Sequence, residues 1–372
     1  MPTEVVDLFT ELAALPSPPG EERAVADAVI RYLRDLGLAV DEDGAGAVVG
    51  SDMGNVYCRL APTDGGNPIF LCAHLDTVPP EGPIEPVIED GLVRNAAGTI
   101  LGADNKSAVA AMLEGVRRVL AENRPHGGIE LLFTPKEEVG LLGAAAFDHE
   151  RLHARLGYVY DQAAPIGEVI LGAPYSRAMQ VRFHGKAAHS GMYPEEGRSA
   201  VVAAARAISD LRLGRIDDET TANVGLIQGG TAGNIIPEWC TLDAEARSHD
   251  ERKLEELVQE MVDAFSFAAG LEDCEVETKI SKSYRGYRFK REDPVVRIAH
   301  TALERSGYTP SYALSGGAAD ANIFNERGLA CLNLANGMQD IHTPAERITV
   351  DDLEGMVEVT LALVDAARDA DA

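Results

Sequence analysis

The chain has 372 residues, 45% of them hydrophobic, which is enough apolar material for more than one core and makes two domains the natural expectation. Asp and Glu number 60 against 33 Lys and Arg, a formal charge of -27, so a nucleic acid or the anionic face of a membrane is repelled and neither is expected as a partner. Five cysteines without CxxC spacing, no basic-then-apolar leader in Met1-Pro2-Thr3-Glu4-Val5-Val6-Asp7 and no bilayer-length apolar stretch make the reducing cytoplasm the expected location.

Apolar residues at helical spacing predict helices over 4–15 and 21–36, separated by the break Pro16-Ser17-Pro18-Pro19-Gly20. Short apolar runs at 55–60, 69–73, 129–134 and 157–160 read as strands, with a helix over 106–120 between the second and third. Such alternation predicts an α/β layer with a mainly parallel sheet, whose ligands sit outside the carboxyl ends of the strands.

From residue 177 the pattern changes. Residues 177–184 alternate like a half-exposed strand, 198–211 follow as a helix, 224–228 and 239–247 as strands, 251–269 as an amphipathic helix and 275–283 as a last strand. The order β-α-β-β-α-β is that of a split βαβ, ferredoxin-like unit. Beyond residue 285 come a helix over 295–305, an apolar run at 330–334 and a closing helix over 350–367. The expected architecture is a discontinuous α/β domain, residues 1–176 and 285–372, with an inserted α+β unit, residues 177–284, that would form a separate lid.

Polar residues follow the apolar runs. The run Pro68 to Leu71 leads into Cys72-Ala73-His74-Leu75-Asp76, and His74 and Asp76 share a face if the strand continues. A carboxylate on the second ring nitrogen would fix the tautomer of a metal-binding histidine, although Asp76 also suits a turn before Thr77-Val78-Pro79-Pro80. Asp104, in Gly102-Ala103-Asp104-Asn105-Lys106, stands where an N-cap is expected, but a carboxylate held at a helix start also suits the bridge of a two-metal hydrolase. Glu137 and Glu138 stand side by side after 129–134, an arrangement that lets one bind metal while the other serves as general base. Asp161 closes 157–160, and His342 sits in Ile341-His342-Thr343-Pro344. Two imidazoles and several carboxylates after separate strands form a donor set for two divalent cations.

These residues resemble the M20 metallopeptidases, and within them the tripeptidase T-like branch, over nearly the whole chain. The motifs carrying the resemblance are His74-Leu75-Asp76, Gly102-Ala103-Asp104-Asn105-Lys106, Pro135-Lys136-Glu137-Glu138-Val139-Gly140, Asp161, Gly185-Lys186-Ala187-Ala188-His189-Ser190-Gly191 and His342-Thr343-Pro344. The resemblance implies that His74 and Asp161 complete one metal, Glu138 and His342 the other, with Asp104 bridging. Asp76 would orient His74 and Glu137 would be the general base. Zinc is the metal implied, with cobalt or manganese as alternatives.

The resemblance makes residues 1–176 and 285–372 the catalytic metal-binding domain and the lid a dimerisation domain as well, in which His189 polarises the scissile carbonyl from across a homodimer, Asn234 contacts substrate and Arg247 grips a substrate carboxylate. As local readings, His189 fits a surface loop, Asn234 a turn beside Gly233 and Arg247 a strand-end ion pair. Asn105 departs from the double aspartate common at this point in the branch, and Ser315-Gly316-Gly317-Ala318-Ala319-Asp320-Ala321-Asn322 resembles a loop near the pocket.

The expected function is metal-dependent hydrolysis of small peptides by a tripeptide aminopeptidase. The alternatives are an amidohydrolase or carboxypeptidase acting on N-acyl amino acids, which the same metal centre would serve, and a non-catalytic peptide-binding homologue, which would have no use for a free base at Glu137.

Overall fold

The computed structural model describes residues 3–370; Met1, Pro2, Asp371 and Ala372, which the sequence reading assigns to the catalytic domain, lie outside the described residues. In chain order the first part runs α1 (Glu4–Ala13), α2 (Arg23–Asp35), β1 (Val40–Glu42), α3 (Ala45–Val49), β2 (Val56–Leu60), β3 (Ile69–His74), β4 (Pro86–Glu89), β5 (Leu92–Asn95), α4 (Ala103–Ala121), β6 (Ile129–Thr134), α5 (Leu142–Ala146), β7 (Leu156–Gln162) and β8 (Glu168–Ala173). The middle runs β9 (Tyr175–His184), α6 (Ala200–Asp210), β10 (Gly214–Asp217), β11 (Thr220–Gly229), β12 (Trp239–Ser248), α7 (Glu251–Leu271) and β13 (Glu275–Tyr284). The chain closes with β14 (Tyr287–Arg288), α8 (Pro294–Arg305), β15 (Ser311–Leu314), α9 (Asp320–Glu326), β16 (Ala330–Ala335), β17 (Arg347–Thr349) and α10 (Val350–Asp369).

Two compact units result. One comprises the residues up to Leu171 and those from Arg288 onward; the other is Gly172–Tyr287, bounded a few residues outside the 177–284 segment.

The first unit is built on a sheet in the order β1-β2-β6-β3-β7-β16-β8-β14, with β15 paired to β8. Its centre is parallel: β3 runs with both β6 and β7, and β16 runs with β7. Every residue of β3 and β6 is buried, which explains why both read as continuous apolar runs rather than as alternating strands. The flanks are antiparallel, and β2, anticipated only as one more strand of the layer, pairs antiparallel with β6. A separate three-stranded sheet, β17-β5-β4, has strands of three or four residues. Helix α4 is buried along most of its length and meets α10 closely, since a Cβ on Gly115 would lie 2.6 Å from Thr360 Cγ2.

The second unit is a five-stranded antiparallel sheet, β10-β11-β12-β9-β13, with α6 and α7 packed on it. It has its own core, in which Met179, Val181 and Phe183 of β9 meet Met261 and Phe265 of α7. The short β10 adds one strand to the expected β-α-β-β-α-β order.

Candidate functional site

The parallel strands deliver their following residues to one edge. β3 ends in His74, and β6 ends at Thr134 before the chain turns through Pro135 and Lys136 (φ 58°) to Glu137 and Glu138. β7 carries Asp161 as its penultimate residue, and the loop after β16 reaches His342 (φ 62°). These four strands are neighbours in the order β6-β3-β7-β16, so their carboxyl ends converge where ligands of such sheets bind. Asp104 arrives from the start of α4. Its backbone (φ -83°, ψ 104°) is not helical and the helix has no side-chain cap, which leaves the carboxylate free to face the strand ends.

Asp104 lies between the two histidines. Its Oδ1 is 3.2 Å from His74 Nε2 and its Oδ2 is 3.1 Å from His342 Nε2. His342 Nε2 is also 3.0 Å from Glu138 Oε1, and His74 Nε2 is 3.8 Å from Asp161 Oδ1. Donor atoms of His74, Asp104 and Glu138 lie within 4.8 Å of one another, as do those of His74, Glu137 and Asp161. His74, Asp104 and Glu137 are buried, whereas the His342 side chain is 43% exposed and gives the cluster an open side.

Asp76 does more than the sequence suggests. His74 Nδ1 is 2.8 Å from the Asp76 main-chain oxygen and 3.5 Å from its carboxylate, so the ring proton on Nδ1 is held and Nε2 faces the cluster with its lone pair. The Asp76 carboxylate accepts the amides of Glu137 at 2.9 Å and Glu138 at 3.1 Å, which pins the turn carrying both glutamates.

The electrostatics follow from this crowding. Burial, reinforced by Asp161, raises the Glu137 carboxyl well above the usual carboxylate range. Burial and the nearby Asp104 push Asp161 up to about 7. Burial would also raise Asp104, but hydrogen bonds from His342 and His74 hold it well below its usual value. His342 is pushed up to about 10 by Asp104 and Glu138; burial opposes protonation of His74, yet Asp104, Asp161 and Asp76 raise it.

The cluster therefore selects positive charge. Four carboxylates converge on two imidazole nitrogens, and an imidazole lone pair facing a carboxylate oxygen needs a proton or a cation between them. Mixed imidazole and carboxylate donors with one shared carboxylate fit two divalent ions of the zinc, cobalt or manganese kind.

His189 is exposed, and its Nδ1 accepts the amides of Gly191 and Met192, both at 3.2 Å, which puts the ring proton of the neutral form on Nε2. Asn234 is exposed beside it, its main-chain oxygen accepting the Ser190 amide at 3.0 Å while His189 bridges to Ile235. Arg247 lies in β12, half-buried, with Nη2 2.9 Å from Glu245 Oε2.

Three further buried carboxyl groups stand around the cluster. Glu22, raised by burial, accepts the Gly20 amide at 2.7 Å, the Lys136 amide at 3.2 Å and the Ser51 hydroxyl at 2.6 Å. Asp320 accepts the Thr134 hydroxyl at 2.6 Å through Oδ2, whereas its buried Oδ1 has no partner among the described residues; burial lifts it to about 6. Glu346 accepts main-chain amides at the start of α4. Asp320 lies in the 315–322 stretch already expected near the pocket, but Glu22 and Glu346 escaped the sequence reading, because nothing local distinguished them.

Comparison with known proteins matches residues 172–271 to a peptidase dimerisation domain of the M20 type and residues 55–180 to peptidase family M28. The chain is 38% identical to the uncharacterised Bacillus subtilis protein YqjE over 98% of both chains. Among solved structures it is similar to the aminopeptidase PepT of Bacillus cereus (39% identity, TM-score 0.89) and to a tripeptidase of Staphylococcus aureus (34% identity, TM-score 0.93), each over 98% of both chains.

Proposed function

The chain belongs to the M20 metallopeptidases, in their peptidase T-like branch, and from that premise we propose that it is a two-metal aminopeptidase that removes the first residue of small peptides, tripeptides above all. The observation that carries the reading is Asp104, whose two oxygens are directed at different histidines, His74 and His342. A carboxylate placed between two imidazoles, with further carboxylates on either side, is what a shared pair of cations requires.

His74 and Asp161 would hold one ion, Glu138 and His342 the other, with Asp104 shared. Two divalent cations, zinc by our assignment, would lower the pKa of the attacking water and polarise the peptide carbonyl. Glu137 takes the proton of that water, helped by the burial that raises its affinity for protons, as the water oxygen adds to the carbonyl carbon. When the C–N bond breaks, Glu137 returns the proton to the leaving amine. Asp76 keeps Glu137 and Glu138 in register by holding their amides.

His189, a donor through Nε2, is assigned to the developing oxyanion and would be contributed by the second subunit of a homodimer formed through the lid; the match to a dimerisation domain supports this. Asn234 and Arg247 are assigned to substrate contact, the guanidinium suiting a carboxylate. We place the reaction in the cytoplasm, a reading supported by five free cysteines.

Incubating zinc-loaded protein with di- and tripeptides, N-acyl amino acids and C-terminally blocked peptides, with mass spectrometry of the products, tests the proposal. Release of the first residue from free tripeptides, abolished by a chelator, is expected. Cleavage of N-acyl substrates alone would move the protein to the amidohydrolases, and binding without any cleavage would make it a peptide-binding homologue.

A further inference from the structure

Buried main-chain amides need partners, and the turn leading into the start of α4 presents three. Gly102 adopts φ 78°, which turns the amides of Leu101, Gly102 and Asp104 towards one point. There the Glu346 carboxylate, 2% exposed, accepts Leu101 N at 2.7 Å and Gly102 N at 2.8 Å through Oε2, and Asp104 N at 2.9 Å through Oε1. Glu346 lies four residues after His342 on the loop between β16 and β17. One buried carboxylate thus fastens the turn bearing Asp104 to the loop bearing His342, two groups brought together from far apart in the chain.

We infer that Glu346 is a positioning residue for the metal centre, setting the separation of Asp104 and His342 before any ion binds. The inference rests on the proposed function in that it takes Asp104 and His342 as ligands. A carboxylate is required rather than an amide, because the NH2 of a glutamine would face backbone N–H groups, donor against donor.

Glu130 provides a matched control. It is equally buried and accepts the His153 amide at 3.2 Å, the Ala154 amide at 2.7 Å and the Tyr57 hydroxyl. It stands four residues before Thr134, about 13 Å along β6 from the cluster end of that strand. A carboxylate that only supports the fold at either position would behave alike.

The test is zinc titration of the metal-free protein against a competing chromophoric chelator, for the unmodified chain, Glu346→Gln and Glu130→Gln, with circular dichroism of each. Outer groups that orient ligands change metal affinity by about 10–100-fold, so Glu346→Gln is expected to weaken zinc binding by that factor while Glu130→Gln stays within about threefold of the unmodified chain. Equal affinities for the two variants would overturn the inference. If Glu346→Gln does not fold, Glu346→Asp, which keeps the charge but shortens the reach, takes its place: about a tenfold loss supports the inference and an unchanged affinity overturns it. An unmodified chain that binds no zinc would instead overturn the proposed function, and the inference with it.

Discussion

In the proposed function, turnover depends on Glu137. It is buried, its amide is held by Asp76, and its proton affinity is raised mainly by burial, with Asp161 adding to it. Replacing it with glutamine preserves shape and the amide contact but removes the base. Glu137→Gln is expected to lower kcat by about 10²–10⁴-fold with KM and bound metal unchanged; steady-state kinetics with metal analysis checks this, and a kcat within tenfold of the parent would remove Glu137 from the role. Asp320 supports a prediction of a different kind. Its carboxyl is lifted from 3.8 to about 6, chiefly by burial, so between those values the folded state holds a proton that the unfolded state has lost. Stability from this group is therefore full below about pH 4 and is lost as pH rises through 6. Asp320→Asn should stabilise the metal-free protein at pH 8, by an amount on the order of 3 kcal/mol, and leave it nearly unchanged at pH 4, as read by denaturant unfolding at both values. His74, Glu137 and Asp161 were legible in the sequence because each follows an apolar run that had to be a strand. Glu22 and Glu346 were not, because they act on amides 114 and 242 positions away, at Lys136 and Asp104.

At the scale of the element, the turn after β6 matters most. Asp76, just beyond β3, holds the Glu137 and Glu138 amides, so the end of one strand sets the geometry of the turn after its neighbour. Asp76→Asn would turn an NH2 towards one of those amides. A 10–100-fold fall in kcat, with thermal stability much less affected than activity, is expected from kinetics and melting of the same preparation; unchanged kcat would show that the turn holds itself. The central strands were readable because burial on both faces makes them continuously apolar, as in Ile129–Thr134. Strand direction was not readable for β2, since a short run carries no sign of which way its partner runs. β4, β5 and β17 were missed because strands of three or four residues, partly exposed, leave too little periodicity to recognise.

For the whole molecule, a formal charge of -27 means that the compact state works against its own repulsion. Sodium chloride shortens the screening length from about 30 Å at 0.01 M to about 3 Å at 1 M, so the melting temperature of the metal-free protein is expected to rise across that range; a flat or falling melting curve would mean that the ion pairs outweigh the net charge. The discontinuity of the first unit was visible because His342 had to rejoin His74 across an intervening segment with a different strand and helix order. The unit boundaries were less exact, since β8 is followed after a single residue by β9 and β14 is a two-residue strand. In the proposed function, two ions would share Asp104. Anomalous diffraction at the zinc edge from zinc-loaded crystals tests it most directly: two peaks are predicted, one at His74 and Asp161, the other at Glu138 and His342, both touching Asp104. A single peak, or peaks that avoid Asp104, would contradict it.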